Sequence, residues 1–178
     1  PDKKTLYPML EGALTTDGNQ RRRRIYEFDI ASRAYTGRFW DYQVEAAPNA
    51  IGDLTAIDAN RFLVIERDNG QGASAALKRI YTVDKRVVDA QGYLVKTLAA
   101  DLMRLRDPAA ISLPARPGDI GLGTTYTMPF VTIESVLPLD GRRLLVINDN
   151  NYPFSLGRNP VEPDNTEFAI IQLDALPR

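Results

Sequence analysis

Hydrophobic residues occur along the chain in short runs that are separated by clusters of glycine, proline, aspartate and asparagine. In Arg24–Asp29, for example, Tyr26 and Phe28 are separated by one charged residue, so they lie on the same face of an extended strand. Such alternation, bounded by turn-forming residues, is typical of half-buried β-strands. It predicts strands at Thr5–Leu10, Arg24–Ile30, Gly37–Val44, Asp53–Ala56, Arg61–Glu66, Lys78–Asp84, Tyr93–Leu98, Thr132–Pro138, Arg143–Asn148 and Glu167–Leu173.

One segment has a helical spacing instead. Leu98, Leu102 and Leu105 lie on one side of a helix, which predicts one short helix over Leu98–Arg106. Pro108 would end this helix, because proline cannot continue the backbone hydrogen bonding. The next segment, 107–123, contains three prolines and three glycines and therefore predicts a long irregular surface loop.

The chain also contains an internal repeat. Ile51–Gly70 aligns without a gap with Ile133–Tyr152, at an offset of 82 residues. Seven of the twenty aligned positions are identical, whereas ordinary residue frequencies would give about one. Near the beginning of the sequence, Leu6–Glu11 resembles Arg61–Glu66, which indicates a third and shorter copy.

A unit of about four short strands repeated in series is typical of a β-propeller. We therefore predict an all-β, β-propeller-like fold with about three four-stranded antiparallel blades. The blades span approximately 1–46 (partial), 51–106 and 131–178 (partial) of a single β domain, 1–178. Because so few blades cannot close a ring, we expect the chain to be the C-terminal part of a larger propeller. A β-sandwich explains the number of strands equally well but leaves the repeat as a coincidence.

Composition narrows the chemistry that the chain can perform. Its 178 residues include 22 basic and 23 acidic side chains, and neither cysteine nor histidine. The absence of these two residues excludes disulfides, thiol nucleophiles, a Ser-His-Asp triad and histidine metal ligands. The net charge of -1 provides no general attraction for nucleic acid, and no apolar run is long enough for a membrane helix. We therefore expect neither nucleic-acid binding nor membrane insertion.

Three motifs resemble a known family. They are Leu6–Leu14 (LYPMLEGAL), Phe62–Gly70 (FLVIERDNG) and Leu145–Phe154 (LVINDNNYPF). In residues and in order they are similar to signatures of the bacterial phytase-like family, whose members are described as having esterase-like activity of phytase. The resemblance implies a propeller-like fold, a periplasmic or extracellular location, and hydrolysis of phosphate or other esters.

Polar residues follow the second strand of each predicted blade. Alignment of the blades places Glu11, Glu66 and Asn148 at the same position, and equivalent positions of successive blades surround one mouth of a propeller. Carboxylate and amide oxygens suit calcium, which could hold a phosphate ester and activate water without histidine. The metal-ligand candidates are Glu11, Glu66, Asp68, Glu134 and Asp149, and the ligand-binding candidates are Arg67, Asn148, Asn150 and Asn151.

Two of these candidates differ from the others. Aspartate and asparagine are also the residues that turns prefer, so turn formation is favoured over metal binding as the explanation of most of the polar positions. Glu66 is an exception, since glutamate is a poor turn former. Glu134 lies inside the apolar strand Val131–Leu137. Its carboxyl is either an acid or metal ligand at the channel mouth, or a solvated or arginine-paired strand residue.

Two functions remain open after the sequence is considered alone. One is an ester hydrolase assisted by calcium, and the alternative is a non-catalytic propeller module that binds a ligand or protein partner at its mouth. In either case, apolar strand edges such as Phe168–Leu173 are prone to pair with another chain. The expected partners are the remaining blades on a separate chain or a second copy of this chain, and a small-molecule ester or phosphate ligand.

Overall fold

The computed structural model describes residues 3–177, which form antiparallel β-strands and one short 3-10 turn at Gly72–Ser74, without an α-helix. No helix in this part of the chain has the length and apolar character that crossing a membrane requires. The strands are β1 (Thr5–Leu6), β2 (Arg22–Asp29), β3 (Ala34–Gln43), β4 (Ala50–Ala56), β5 (Arg61–Arg67), β6 (Lys78–Val88), β7 (Leu94–Asp101), β8 (Leu105–Arg106), β9 (Thr125–Tyr126), β10 (Thr132–Pro138), β11 (Arg143–Asp149) and β12 (Phe168–Gln172).

The strands form three main sheets, each made of neighbours in sequence. The first sheet has the order β1-β2-β3, the second β4-β5-β6-β7 and the third β10-β11-β12, while β8 and β9 form a small separate ribbon. The all-β prediction is confirmed. Sheets of three and four antiparallel strands, none of them closed among residues 3–177, are compatible with propeller blades and with a sandwich.

The second sheet is buried on both faces. On one face of β5, Phe62 and Val64 belong to a core shared with the first sheet. On the other face, Leu63 and Ile65 belong to a core shared with the third sheet. Side chains of a strand alternate between faces, so a strand covered on both sides is apolar at nearly every position. This explains the unbroken run of hydrophobic residues in β5.

The two segments that align in sequence adopt the same hairpin. β4 and β5 have the same bounds as β10 and β11 after the offset of 82 residues, and each pair has one bulge at the same place, at Gly52 and at Glu134. The turns also match. In the first, the carboxylate of Asp58 accepts a hydrogen bond from Nε of Arg61 at 2.7 Å, and in the second, Asp140 and Arg143 make the same contact at the same distance.

The predicted helix at Leu98–Arg106 is wrong. Residues 98–101 belong to β7, and residues 105–106 form β8 after a turn. Backbone pairing with β6 replaces helical hydrogen bonds, since Ala100 pairs with Ile80 and the Leu102 N–H donates to the carbonyl of Lys78 at 2.8 Å. Leu102 is fully buried, whereas Leu98 is about half exposed, so the leucines do not share one face. Residues 107–123 form neither helix nor strand.

Candidate functional site

Glu66, at the end of β5, is fully buried, and both of its carboxylate oxygens are occupied. Oε1 accepts hydrogen bonds from the backbone N–H of Glu45 (2.5 Å) and from Nδ2 of Asn49 (2.8 Å). Oε2 accepts hydrogen bonds from the hydroxyl of Tyr42 and from Nζ of Lys96, both at 2.9 Å. Four donors saturate this carboxylate, so it has no free oxygen to offer to a ligand.

The partners of Glu66 form a network between the first and second sheets. Nζ of Lys96 also pairs with Glu45 at 3.0 Å and lies over the rings of Tyr42 and Tyr81. The hydrogen bond from Lys96 lowers the pKa of Glu45. Burial, followed by the negative charge of Glu66, raises the pKa of the Tyr42 hydroxyl well above its usual value. A cation enclosed by two carboxylates and two rings joins the sheets, which is a structural role.

Asp68 also contributes to structure. Its Oδ1 pairs at 2.7 Å with Nζ of Lys78, a fully buried side chain. Its Oδ2 accepts hydrogen bonds from the backbone N–H groups of Ala76 (2.8 Å) and Leu77 (3.2 Å). Burial alone would raise the pKa of Asp68, but Lys78 and these backbone donors hold it below the usual value. Asp68 therefore fixes the loop between β5 and β6.

Two further acidic candidates, Glu11 and Glu134, lie beside Arg67, and the charge of Asp149 acts on Glu134. Arg67 is only 4% exposed. Its Nη2 donates a hydrogen bond to Oε1 of Glu11 at 2.8 Å and lies 4.0 Å from Oε1 of Glu134. Its Nη1 donates to Oδ1 of Asn69 at 2.8 Å, and its buried Nε has no partner among residues 3–177. We call Glu11, Arg67, Glu134 and Asp149 the mouth cluster.

Glu134 is the titratable group that distinguishes this cluster. Burial raises its pKa first, and the negative charges of Asp149 and Glu11 raise it further, while Arg67 acts in the opposite direction. Asp149 is exposed, and its Oδ1 accepts a hydrogen bond from the Asn151 N–H at 3.0 Å. A carboxyl with a raised pKa beside other carboxylates is an arrangement that suits acid–base chemistry, which makes Glu134 a candidate for it.

A close approach of β4 and β10 brings Glu134 to Arg67. At Gly52, a Cβ atom would lie 2.0 Å from the carbonyl oxygen of Ile133, so only glycine allows these backbones to touch. One residue further on, Oδ2 of Asp53 accepts a hydrogen bond from the N–H of Val136 at 2.9 Å. These contacts fix the position of the β10 bulge, from which Glu134 projects.

The asparagine candidates shape the turn after β11. Asn148 is buried, and its side chain joins the Asn165 carbonyl (3.1 Å) to the Glu167 N–H (2.6 Å). Oδ1 of Asn150 accepts a hydrogen bond from the Tyr152 N–H at 3.0 Å, and Asn151 contacts the Thr132 hydroxyl. These contacts hold the backbone between β11 and β12 and tie it to β10, so the three asparagines have structural partners.

The structure thus brings together Glu11, Arg67, Glu134 and Asp149 but places Glu66 and Asp68 in separate networks. Within residues 3–177, no group of three or more acidic side chains is arranged to hold a metal ion. Calcium needs six to eight oxygen ligands, and the guanidinium of Arg67 at the centre opposes a cation. These residues as placed do not fit a calcium site, so calcium stays a prediction and no catalytic step is derived from it.

Sequence reasoning missed the lysines that hold the acids. Lys78 and Lys96 lie in strands, and each follows an apolar residue. A charged residue at such a place interrupts the hydrophobic pattern, and this interruption is the signal that could have identified them. Their partners Asp68 and Glu66 are distant enough along the chain that spacing alone does not pair them.

Comparison with known proteins places the chain in a family. The model of the family described as phytase-like, with esterase-like activity of phytase, matches residues 1–152 of the 178 residues. The chain belongs to the phytase-like family. No curated protein and no solved structure matches this phytase-like chain. The matched segment contains the whole mouth cluster, and membership indicates esterase-like hydrolase activity in general terms.

Proposed function

We propose that this phytase-like protein hydrolyses phosphate or carboxylic esters at the mouth cluster. The observation that carries the proposal is the raised pKa of Glu134 beside the exposed carboxylate of Asp149. A carboxyl that retains its proton at higher pH can donate it to a leaving oxygen, and a neighbouring carboxylate with a free oxygen can accept a proton from water.

In the proposed reaction, Asp149 is the general base and Glu134 is the general acid. Oδ2 of Asp149 accepts no hydrogen bond from residues 3–177, so it is free to take a proton from water. The water oxygen forms a bond to the carbonyl carbon or phosphorus, and the bond to the leaving oxygen breaks. Glu134 gives its proton to that oxygen. Asp149 then releases its proton to solvent and Glu134 takes up a proton from solvent, which restores both groups.

Arg67 and Glu11 position this pair. Arg67 is too buried to contact a substrate directly, but its positive charge holds Glu11 and limits the rise in the pKa of Glu134. Arg67 is therefore a positioning residue, which acts through the carboxylates on either side of it.

The test is hydrolysis of p-nitrophenyl acetate and p-nitrophenyl phosphate. We expect Glu134→Gln and Asp149→Asn each to lower kcat by about 100-fold or more, the usual contribution of a general acid or base. The matched control is Glu162→Gln, which removes an exposed carboxylate paired with Arg116 in a distant loop and should leave kcat unchanged. Full activity of both mouth variants would overturn the proposal.

The alternative is non-catalytic binding of a ligand or partner at the same mouth. The observation that favours it is the burial of Arg67. Both of its Nη groups already have protein partners, so Arg67 offers no exposed positive charge to bind a phosphate group for hydrolysis. Binding of an ester without turnover, abolished by Glu134→Gln, would support this alternative over hydrolysis.

A periplasmic or extracellular location is part of the proposal, and the family resemblance of the three motifs supports it. Cell fractionation tests it: recovery of the protein with cytoplasmic markers would contradict this location.

A further inference from the structure

A groove of about 700 Å³ runs along β12, and none of the mouth cluster residues lines it. One wall is the strand β12 itself, and another is formed by residues 99–101 of β7 and residues 104–107 in and around β8. Most of the lining is apolar, with Leu105, Ile111 and Leu122 among the contributing side chains.

The backbone of β12 faces this groove without a strand partner. Among residues 3–177, β12 pairs with β11 only. The N–H of Leu173 donates to the carbonyl of Arg142 at 2.7 Å, so the backbone groups of Leu173 point towards β11. Because successive residues of a strand direct their backbone groups to opposite sides, those of Phe168, Ile170 and Gln172 face away from β11. Unpaired backbone donors and acceptors of this kind accept another strand.

In the second sheet, the edge that corresponds to the free edge of β12 is paired with a further strand. β6 pairs with β5 in the register in which β12 pairs with β11, since Ile65 faces Ile80 and Ile147 faces Phe168. In the second sheet, β7 then pairs antiparallel with β6 on its far edge, where Ile80 faces Ala100. The corresponding edge of β12 is the groove.

The groove also has an excess of free positive charge. The side chains of Arg104 and Arg106 line it and have no ion pair or hydrogen bond within residues 3–177. Three acids line the groove as well. Asp101 pairs with Arg79 at 3.4 Å and Glu167 with Arg158 at 2.8 Å, whereas Asp107 has no cation partner among residues 3–177 and accepts hydrogen bonds from the backbone and hydroxyl of Ser112. Two unpaired guanidinium groups therefore face one carboxylate that has no cation partner.

We propose that this groove binds an extended acidic segment of another polypeptide, which adds to β12 as an antiparallel strand. Main-chain hydrogen bonds to Phe168, Ile170 and Gln172 hold the segment, and its carboxylates lie near Arg104 and Arg106. The five residues of β12 extend over about 17 Å, so a segment of five to seven residues fills the edge.

The probe is an acetylated, amidated seven-residue peptide of alternating valine and threonine with glutamate at each end. Its binding is measured by calorimetry and compared with three control peptides. Two carry N-methyl groups on alternate amides, one peptide for each edge of the strand, and the third has lysine in place of glutamate. We expect N-methylation of one edge to abolish binding and lysine to weaken it.

Protein variants test the charge. The double variant Arg104→Glu/Arg106→Glu should weaken binding of the glutamate peptide about tenfold and strengthen binding of the lysine peptide. Arg33→Glu reverses an exposed charge in the turn between β2 and β3 and should change neither affinity.

Hydrogen exchange provides a readout that does not depend on a variant. In the free protein, the Ile170 amide should exchange quickly and the Ile171 amide slowly, and the peptide should protect Ile170. The proposal is overturned if the peptide does not bind at millimolar concentration, if N-methylation has no effect on either edge, if the double variant binds both peptides like the unmodified protein, or if Ile170 stays unprotected.

Discussion

Gly52 and Glu134 occupy the same bulge position in two hairpins of equal register. Because Gly52 has no side chain, β10 approaches β4 closely, and this approach brings Glu134 to Arg67. A Cβ at Gly52 would collide with the backbone of β10, next to the bulge from which Glu134 reaches Arg67. One aligned position thus serves a close backbone contact in one hairpin and a carboxyl at the mouth in the other.

We therefore expect Gly52→Ala to destabilise the protein by about 1–3 kcal/mol, because the atom it meets is a backbone oxygen that cannot rotate away. Urea unfolding measures the change. Gly141→Ala is the matched control, since a Cβ there meets nothing within 4 Å and should have little effect. Equal stability of the two variants would show that β4 and β10 are not in the contact described.

Glu66→Gln tests the buried network. The change leaves Lys96 without one of its two carboxylates and places an amide N–H₂ against donors, so we expect a loss of about 3–5 kcal/mol in the free energy of unfolding. For a protein of this length the melting temperature should fall by roughly 10 °C. Glu162→Gln is the exposed control. A stability close to that of the unmodified protein would mean that Glu66 is not held by four donors.

The raised pKa of Glu134 predicts a pH dependence of stability. Because its folded pKa lies above its value in the unfolded chain, the group contributes stability that is fully present below the unfolded pKa, 4.5. This contribution is lost as pH rises through the folded pKa. The stability of the unmodified protein minus that of Glu134→Gln should therefore decrease between pH 4 and pH 8. An increase over this range would contradict the assigned direction of the shift.

The calcium prediction has its own test, the melting temperature in millimolar calcium and in chelator. Binding to the folded state alone raises the melting temperature. Because the mouth cluster as placed does not fit a calcium site, we expect the same melting temperature in millimolar calcium and in chelator. A higher melting temperature in calcium that Glu134→Gln and Asp149→Asn remove would contradict this expectation and support the calcium prediction.

The sequence predicts the hairpins of this fold far better than it predicts the site. Asp58 and Asp140 are identical after alignment and make the same turn contact, because a turn depends on residues three positions apart. Glu66 and Glu11 are also aligned, yet they have different roles. The donors to Glu66 come from Tyr42, Asn49 and Lys96, and no local pattern shows that three such segments meet.

The last prediction concerns association. On the outer face of the first sheet, the rings of Tyr26, Phe28, Tyr35 and Phe39 pack on one another, and Tyr35 and Phe39 are 61% and 52% exposed. An exposed aromatic surface of this kind favours contact with another protein surface. We expect light scattering to give a mass above the 19.8 kDa of one chain, from a second copy or from a separate chain that carries further blades. A denaturing gel separates these two cases.

The double variant Tyr35→Ser/Phe39→Ser should lower the mass, whereas Tyr152→Ser, which removes an exposed ring elsewhere, should not. A monodisperse 19.8 kDa species that melts cooperatively would contradict the prediction, because the aromatic face would then be stable in water without a partner.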